Sequence, residues 1–333
     1  MFGIKFFDEF LLTSAARVLA ALLLLLGVCS PVLADDLMNQ IRQRIVVGWP
    51  GAAVAKYSGL GSQVKYGGYV VFGSQAKLGK DLCREKPKGG FFLMDHEGGV
   101  VNRIASALPS AKMASRDFVG FSRQWGLDME RMNAMCVDVV LGPMVDTAMD
   151  GGGRSFSSDF SKNAAFSQAL MRESRRAGIV SAIKHYPGSI GSCSRVGRSK
   201  EVFSCDPTVE AIASQWSSLD LFGIPIVMTS FNRFPRISQK YAFADSSVMG
   251  LLRGQMRFDG VTLTDSITEL PDIDMDESLI HDIFLNNDMV MILDDGLADQ
   301  VAESVAQMMG SDASLRESHR LSLGRIEALK SSR

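Results

Sequence analysis

The amino-acid sequence predicts an α/β protein folded as a single (β/α)8 TIM-type barrel, and three observations lead there. Eight short apolar runs, dominated by β-branched and aliphatic residues, recur along the chain. Segments with helical periodicity separate most of them, the pattern of parallel strands joined by crossover helices. Polar and charged residues gather where the runs end, which is where a barrel of this kind carries its chemistry.

Before the first run comes a leader. Lys5 and Arg17 precede the apolar stretch VLAALLLLLGV at 18–28, and Val32-Leu33-Ala34 forms a small-residue cleavage site ahead of Asp35. This reads as a signal peptide over residues 1–34, with the barrel domain occupying 35–333. The stretch is shorter than the roughly 20 residues a membrane span requires. Two alternatives stay open, a lipidated Cys29 after the lipobox-like LGVC and an uncleaved anchor. The expectation is a periplasmic or secreted, monomeric protein with no stable membrane span after signal cleavage.

The eight runs are RIVVGW at 44–49, GGYVVFG at 67–73, GFFLMD at 90–95, CVDVVLGPMVD at 136–146, IVSAIKH at 179–185, PIVMTS at 225–230, GVTLTDS at 260–266 and DMVMILD at 288–294. Each suits a strand covered on both faces. Helix signals lie between them. Ser161 is placed to cap a helix stopped by Gly178. Asp206-Pro207 offers an N-cap with proline in the first turn, Ile212, Trp216 and Leu219 mark one face, and Gly223 ends the element. Ser314 with Glu317 reads as a capping box, and Asp294 with Asp295 as helix-capping acids. No segment resembles an interdomain linker.

Composition narrows the function. The chain is 46% hydrophobic and 22% charged, with a net charge of −2; nothing in that balance suits a polyanion, so nucleic acid is not expected as a partner. Export makes the cysteines readable as disulfides. Cys193 and Cys205 flank a polar loop and form the first pair. Cys83 and Cys136 remain for a second bridge, with a merely buried Cys136 as the alternative. No cysteine and histidine spacing indicates a zinc site, and no metal or organic cofactor is expected.

The residues at the run ends are Asp95 and Glu97, Asp146, Lys184 and His185, Thr229 and Ser230, Asp265, and Asp294 and Asp295. Asp265 closes an apolar approach in which an idle charge would be costly. The segment GGFFLMDHEGGVVNR at 89–103 combines two acids with a glycine pair that permits a tight turn or a close ligand approach.

These residues resemble a known family. Positions 95–103 match the D-x-E-G-G-x-V-x-R signature of family 3 glycoside hydrolases. GRSFSSD at 153–159 is similar to the family's R-S-F segment, KHYPG at 184–188 to its K-H-F-P-G block, MRFDGVTLTDS at 256–266 to its nucleophile strand, and 286–293 to its closing strand. The resemblance is greatest to the single-domain β-N-acetylglucosaminidases (β-N-acetylhexosaminidases) acting on muropeptide sugars of the peptidoglycan cell wall. It implies a retaining mechanism with Asp265 as nucleophile, and substrate binding by Asp95, Arg103, Arg154, Lys184 and His185. Arg103 alternatively reads as a surface helix residue and Arg154 as a partner for Asp159.

One block departs from the family pattern. The loop at 189–205, SIGSCSRVGRSKEVFSC, lacks the histidine and the aspartate that the family uses as acid/base and its orienting partner. Glu201, its only carboxylate, is the candidate replacement, or else a solvated loop acid. Arg195, Arg198 and Lys200 are positioned for an anionic sugar substituent or simply for solvent. Two function classes follow: an exported glycosidase for N-acetylglucosaminides, or a catalytically lapsed relative that binds a glycan or a protein partner.

Overall fold

A computed structural model describes residues 31–49, 66–73, 80–147, 153–196, 202–270 and 273–332. The leader at 1–30, Cys29 with it, and the loop residues 197–201, including Arg198, Lys200 and Glu201, lie outside the described residues. Helix α1 (Pro31–Arg42) passes through the expected processing point. Its first nine residues belong to an N-terminal unit, Met1–Asn39, and everything after Asn39 to a second unit, Gln40–Arg333.

The second unit is the expected barrel. Its strands are β1 (Ile45–Gly48), β2 (Gly68–Val70), β3 (Phe91–Gly98), β4 (Val139–Met144), β5 (Val180–Tyr186), β6 (Ile226–Thr229), β7 (Val261–Ser266) and β8 (Met289–Met291). Each pairs in parallel with the next, and β8 returns to β1, so eight strands close on themselves. Each of the eight lies on one of the apolar runs read from the sequence, with β3 and β5 extending past the ends of theirs to Gly98 and Tyr186, and none of those runs is left over.

Alternation along the strands explains both core and site. Phe91 and Leu93 of β3, Ala182 of β5, and Val261 and Leu263 of β7 belong to one buried cluster with Val46, Val139 and Met228. Side chains two apart share a face. Continuing the same series gives Asp95 and then Glu97 on β3, Lys184 on β5 and Asp265 on β7. The strand faces that fill the barrel with hydrocarbon therefore end, toward the C-terminal rim, in charge. The alternate residues Ile183 and Val227 face outward into a second cluster with Trp216 and Leu252.

Around the strands lie α2 (Lys80–Glu85), α3 (Phe118–Ala134), α4 (Phe160–Arg176), α5 (Val209–Trp216), α6 (Ser246–Gly250), α7 (Glu277–Asn286), α8 (Asp295–Met309) and α9 (Ala313–Ser331). Their caps correct three expectations. Asp159, not Ser161, caps α4 by accepting from the Ser161 amide. Thr208, not Asp206, caps α5, which ends at Trp216 before a separate 3-10 turn, Leu221–Gly223. Asp312 caps α9; Ser314 bonds to that cap, and Glu317 instead pairs with Arg320. In each case the side chain that wins is on the residue immediately before the helix, where its oxygen reaches the exposed first-turn amides. Asp294 caps α8 as expected, and Gly178 follows α4 with φ +77°.

Both expected disulfides are formed, Cys193–Cys205 and Cys83–Cys136. The first ties two short antiparallel strands, Cys193–Arg195 and Phe203–Cys205, into a small sheet completed by Arg233–Phe234 and Ser238–Tyr241. No helix among the described residues is long and apolar enough to cross a membrane.

Candidate active site

Four carboxylates and three cationic groups meet above the strand ends. Lys184 is buried at 3% side-chain exposure, and its Nζ donates to Asp95 Oδ1 at 2.8 Å and to Glu97 Oε1 at 2.7 Å. Arg154 closes the other side of Glu97 with two parallel bonds, Nε to Oε2 at 2.8 Å and Nη2 to Oε1 at 2.9 Å. Such a bidentate pair fixes direction as well as charge. Arg154 therefore does not pair with Asp159, which is occupied as the α4 cap.

The second half of the cluster is built on His185. Its Nδ1 donates to Asp146 Oδ2 at 2.6 Å, and its Nε2 faces Asp265 Oδ2 at 3.4 Å. The strand register shifts between Lys184 and Tyr186, the Lys184–His185 peptide is cis, and both Lys184 and His185 reach acids of the site. Asp265 takes one further bond, from the Ser266 amide at 2.8 Å, and keeps a quarter of its side chain exposed.

The loops that hold these groups have identifiable causes. Gly98 and Gly99 turn the chain after β3 with φ +88° and +56°, and a β-carbon at Gly98 would sit 2.2 Å from the Pro109 carbonyl oxygen. No other residue fits there. The Arg154 segment is pinned on both sides: Phe156 packs edge-on against Phe121 and Phe166, while Ser155 Oγ and Asn163 Nδ2 both donate to the Asp146 carbonyl, at 2.6 and 2.8 Å. The Arg154 and Asp146 sides of the site are thus fastened to each other.

Electrostatics follow from this packing. Burial alone would raise the Glu97 carboxyl, but the charges of Lys184 and Arg154 outweigh it and hold the group well below the usual carboxylate range. Burial likewise opposes the Lys184 charge, and Asp95 and Glu97 override it, so the ammonium is held more firmly than in water. His185 is raised to about 9 despite its burial, because Asp146 and Asp265 flank it. Asp265 is lowered against its own burial by the bond and charge of His185. At neutral pH the site therefore holds an ionised Asp265 beside an imidazolium.

Of the sequence-predicted residues, Asp95, Arg154, Lys184, His185 and Asp265 come together. Arg103 does not join them through any bond; among the described residues it has no hydrogen-bond or ion-pair partner, and it packs against Gly73. Two members had no role assigned from sequence. Glu97 was visible only as a letter of the signature, and Asp146 only as one more strand-end acid, because its partner His185 lies 39 residues away. Among the described residues no group of three or more histidine, cysteine, aspartate or glutamate side chains is arranged to hold a metal ion.

Residues 85–282 match the family model described as the glycosyl hydrolase family 3 N terminal domain. A beta-hexosaminidase of Xylella fastidiosa strain M12 is 28% identical over 217 residues, covering 59% of this chain and 64% of that protein. The match thus spans somewhat less than two thirds of that relative's length. An uncharacterized secreted glycosyl hydrolase of Arthroderma benhamiae is 24% identical over 278 residues, 73% of this chain and 77% of that one. The crystal structure of a beta-N-acetylhexosaminidase from Beutenbergia cavernae superposes with a TM-score of 0.74 at 19% identity, over 89% of this chain and 98% of that one. At that identity the likeness speaks for the fold.

Proposed function

The chain belongs to glycosyl hydrolase family 3, and from that premise we propose that it is an exported retaining glycosidase that releases terminal β-N-acetylglucosamine, with Asp265 as nucleophile. The observation that carries the reading is the setting of Asp265: its carboxylate faces His185, is partly open to solvent, and stands at the C-terminal rim where barrel enzymes act. Asp265 attacks the anomeric carbon, the bond to the leaving oxygen breaks, and a covalent glycosyl-enzyme forms; water then displaces Asp265 and restores the free carboxylate.

The neighbours divide the remaining work. Asp95, still 30% exposed while anchored by Lys184, is presented to sugar hydroxyls. Glu97 is sealed between Lys184 and Arg154 and orients both cations. Four carboxylates against Lys184, Arg154 and imidazolium His185 leave one surplus negative charge, the sign that favours an oxocarbenium-like transition state. The leaving oxygen also needs a proton, and Glu201 is proposed as its source.

A second reading has its own observation. In place of the family's histidine-bearing loop stands a segment tied by Cys193–Cys205 into a four-stranded sheet. A protein with such a pinned wall would bind N-acetylglucosamine or a partner without turning it over. Export, in either reading, is supported by the two disulfides, which persist in oxidising compartments, and by the leader pattern. Intact mass of the exported protein tests the processing: a chain starting at Asp35 supports soluble export, and a lipid-modified Cys29 would replace it with anchoring.

Activity is tested by incubating the protein with a fluorinated N-acetylglucosaminide carrying an activated leaving group and measuring intact mass. One glycosyl adduct, mapped to Asp265 and absent in Asp265→Asn, is the expected result. A protein that binds N-acetylglucosamine yet forms no adduct at any pH would establish the binding reading instead.

A further inference from the structure

At the opposite end of the barrel, three arginines surround one aspartate. Arg44 is fully buried, and its guanidinium donates to the backbone carbonyls of Phe284, Asn287 and Asp288. Asp288, also buried, accepts from Arg253, from Arg325 Nη1 at 2.9 Å, from Ser322 Oγ at 2.9 Å and from the Thr262 amide at 2.8 Å. Both its oxygens are saturated. A fourth basic neighbour, His319, faces Arg44 Nη1 at 3.4 Å and stays neutral, lowered to about 4 by burial and by the Arg44 charge. Three guanidinium charges therefore share one carboxylate. Exposed Asp259 is a further counter-charge, felt by Arg253.

An excess of like charge in a partly dehydrated cluster is expensive unless something neutralises it. The donors show where that something fits. Arg253 spends both terminal nitrogens on Phe258, Gly260, Thr262 and Asp288. Arg325 spends only Nη1, and among the described residues its Nε and Nη2 have no hydrogen-bond partner. Those two nitrogens form the edge of the guanidinium that receives oxyanions in a bidentate manner. Arg325 and Arg253 both line a cleft of about 290 Å³, together with Ser246, Asn286, Ser318 and Ser322. That volume is at the lower end of ligand pockets and admits an ion with a few waters.

We propose that this cleft, between α6, α7 and α9, binds a small oxyanion of the phosphate type, received on the open edge of Arg325 and balancing the buried arginine excess. The site is separate from the glycosidase reading and stands or falls without it. Its position on the N-terminal face, where barrels carry stability and not chemistry, assigns the ion a stabilising role.

The test is thermal unfolding of the full chain in phosphate, sulfate and chloride at equal ionic strength, beside Arg325→Gln and Arg325→Lys. The expected result is a saturable rise in Tm of a few degrees with phosphate over chloride, as for a ligand that binds only the folded state. Arg325→Gln should lose the saturable part and Arg325→Lys should keep some of it, because a lysine retains the charge without the fork. Sulfate rising in parallel identifies a general oxyanion site; phosphate alone identifies a phosphate-selective one. Equal curves in phosphate, sulfate and chloride, or a phosphate response undiminished in Arg325→Gln, would overturn the proposal. Calorimetric titration of wild-type protein with inorganic phosphate decides the matter even if the variants do not fold.

Discussion

His185 concentrates the logic of the site in one residue. Alone in a buried position it would be neutral, yet Asp146 on one nitrogen and Asp265 facing the other raise it to about 9. A group raised on folding binds its proton more tightly in the native state, so its stabilising contribution is complete below the ordinary histidine value and is lost as pH rises through about 9. The same deprotonation removes the positive charge that stands beside the Asp265 carboxylate. We therefore expect unfolding free energy to fall between about pH 6.5 and 9, and His185→Gln to flatten that segment of the profile. Denaturant titration across this range checks it, and a profile identical in wild type and variant would sink the assignment.

At the scale of the element, the question is what keeps β3 and the turn after it in register with the acids. His96 lies between Asp95 and Glu97 and points outward, and its Nε2 meets Asp128 Oδ2 of α3 at 3.0 Å. The same carboxylate accepts from Ser106 Oγ at 2.5 Å, and Ser106 is bound through its amide and carbonyl to Asn102. The turn closed by these bonds is the one that carries Arg103. Asp128 is fully buried, so one side chain of a helix fastens both the strand and the turn. Asp128→Asn keeps the shape but loses an acceptor, and a buried donor left without a partner costs about 1–3 kcal/mol. We expect KM for a glycoside to rise several-fold with a smaller change in kcat, since the turn and not Asp265 is disturbed. Steady-state kinetics give the split; a loss confined to kcat would contradict this positioning role.

For the whole molecule, the two disulfides act over different lengths of chain. Cys83–Cys136 closes 53 residues, running from α2 through β3 and α3, whereas Cys193–Cys205 closes only 12. In the chain-entropy account the longer loop restricts the unfolded state more, by about 4 kcal/mol against about 3. Cys83→Ser with Cys136→Ser should therefore lower Tm more than Cys193→Ser with Cys205→Ser. The second pair's effect should instead appear in the loop beside the site, as a change in turnover or ligand affinity. Calorimetry of the two double variants, with kinetics alongside, separates these contributions.

How much was legible beforehand differs between these scales. The eight strands could be read one by one because a strand buried on both faces must be apolar throughout, and that requirement is local. Three helix caps stand two residues from the ones the sequence suggests, as Asp159 does from Ser161, because neighbouring serines, threonines and aspartates all have the chemistry and only backbone geometry selects among them. The acids at strand ends were visible for the reason the strands were: charge interrupting hydrocarbon is conspicuous. Their partners were not. Nothing within a few residues of Asp146 announces His185, and nothing near Glu97 announces Arg154, 57 positions away.

The sequence by itself determined the barrel, its eight strands in order, the Cys193–Cys205 pair, and the carboxylate at the end of β7, since each depends on short-range pattern. Only the tertiary structure decided which charges meet: that Glu97 is sealed by two cations while Asp265 is left partly open, that Asp146 orients His185, and that three arginines crowd one aspartate at the far end. Ion pairs act through space, and closing the sheet brings together groups whose separation along the chain carries no signal of their contact.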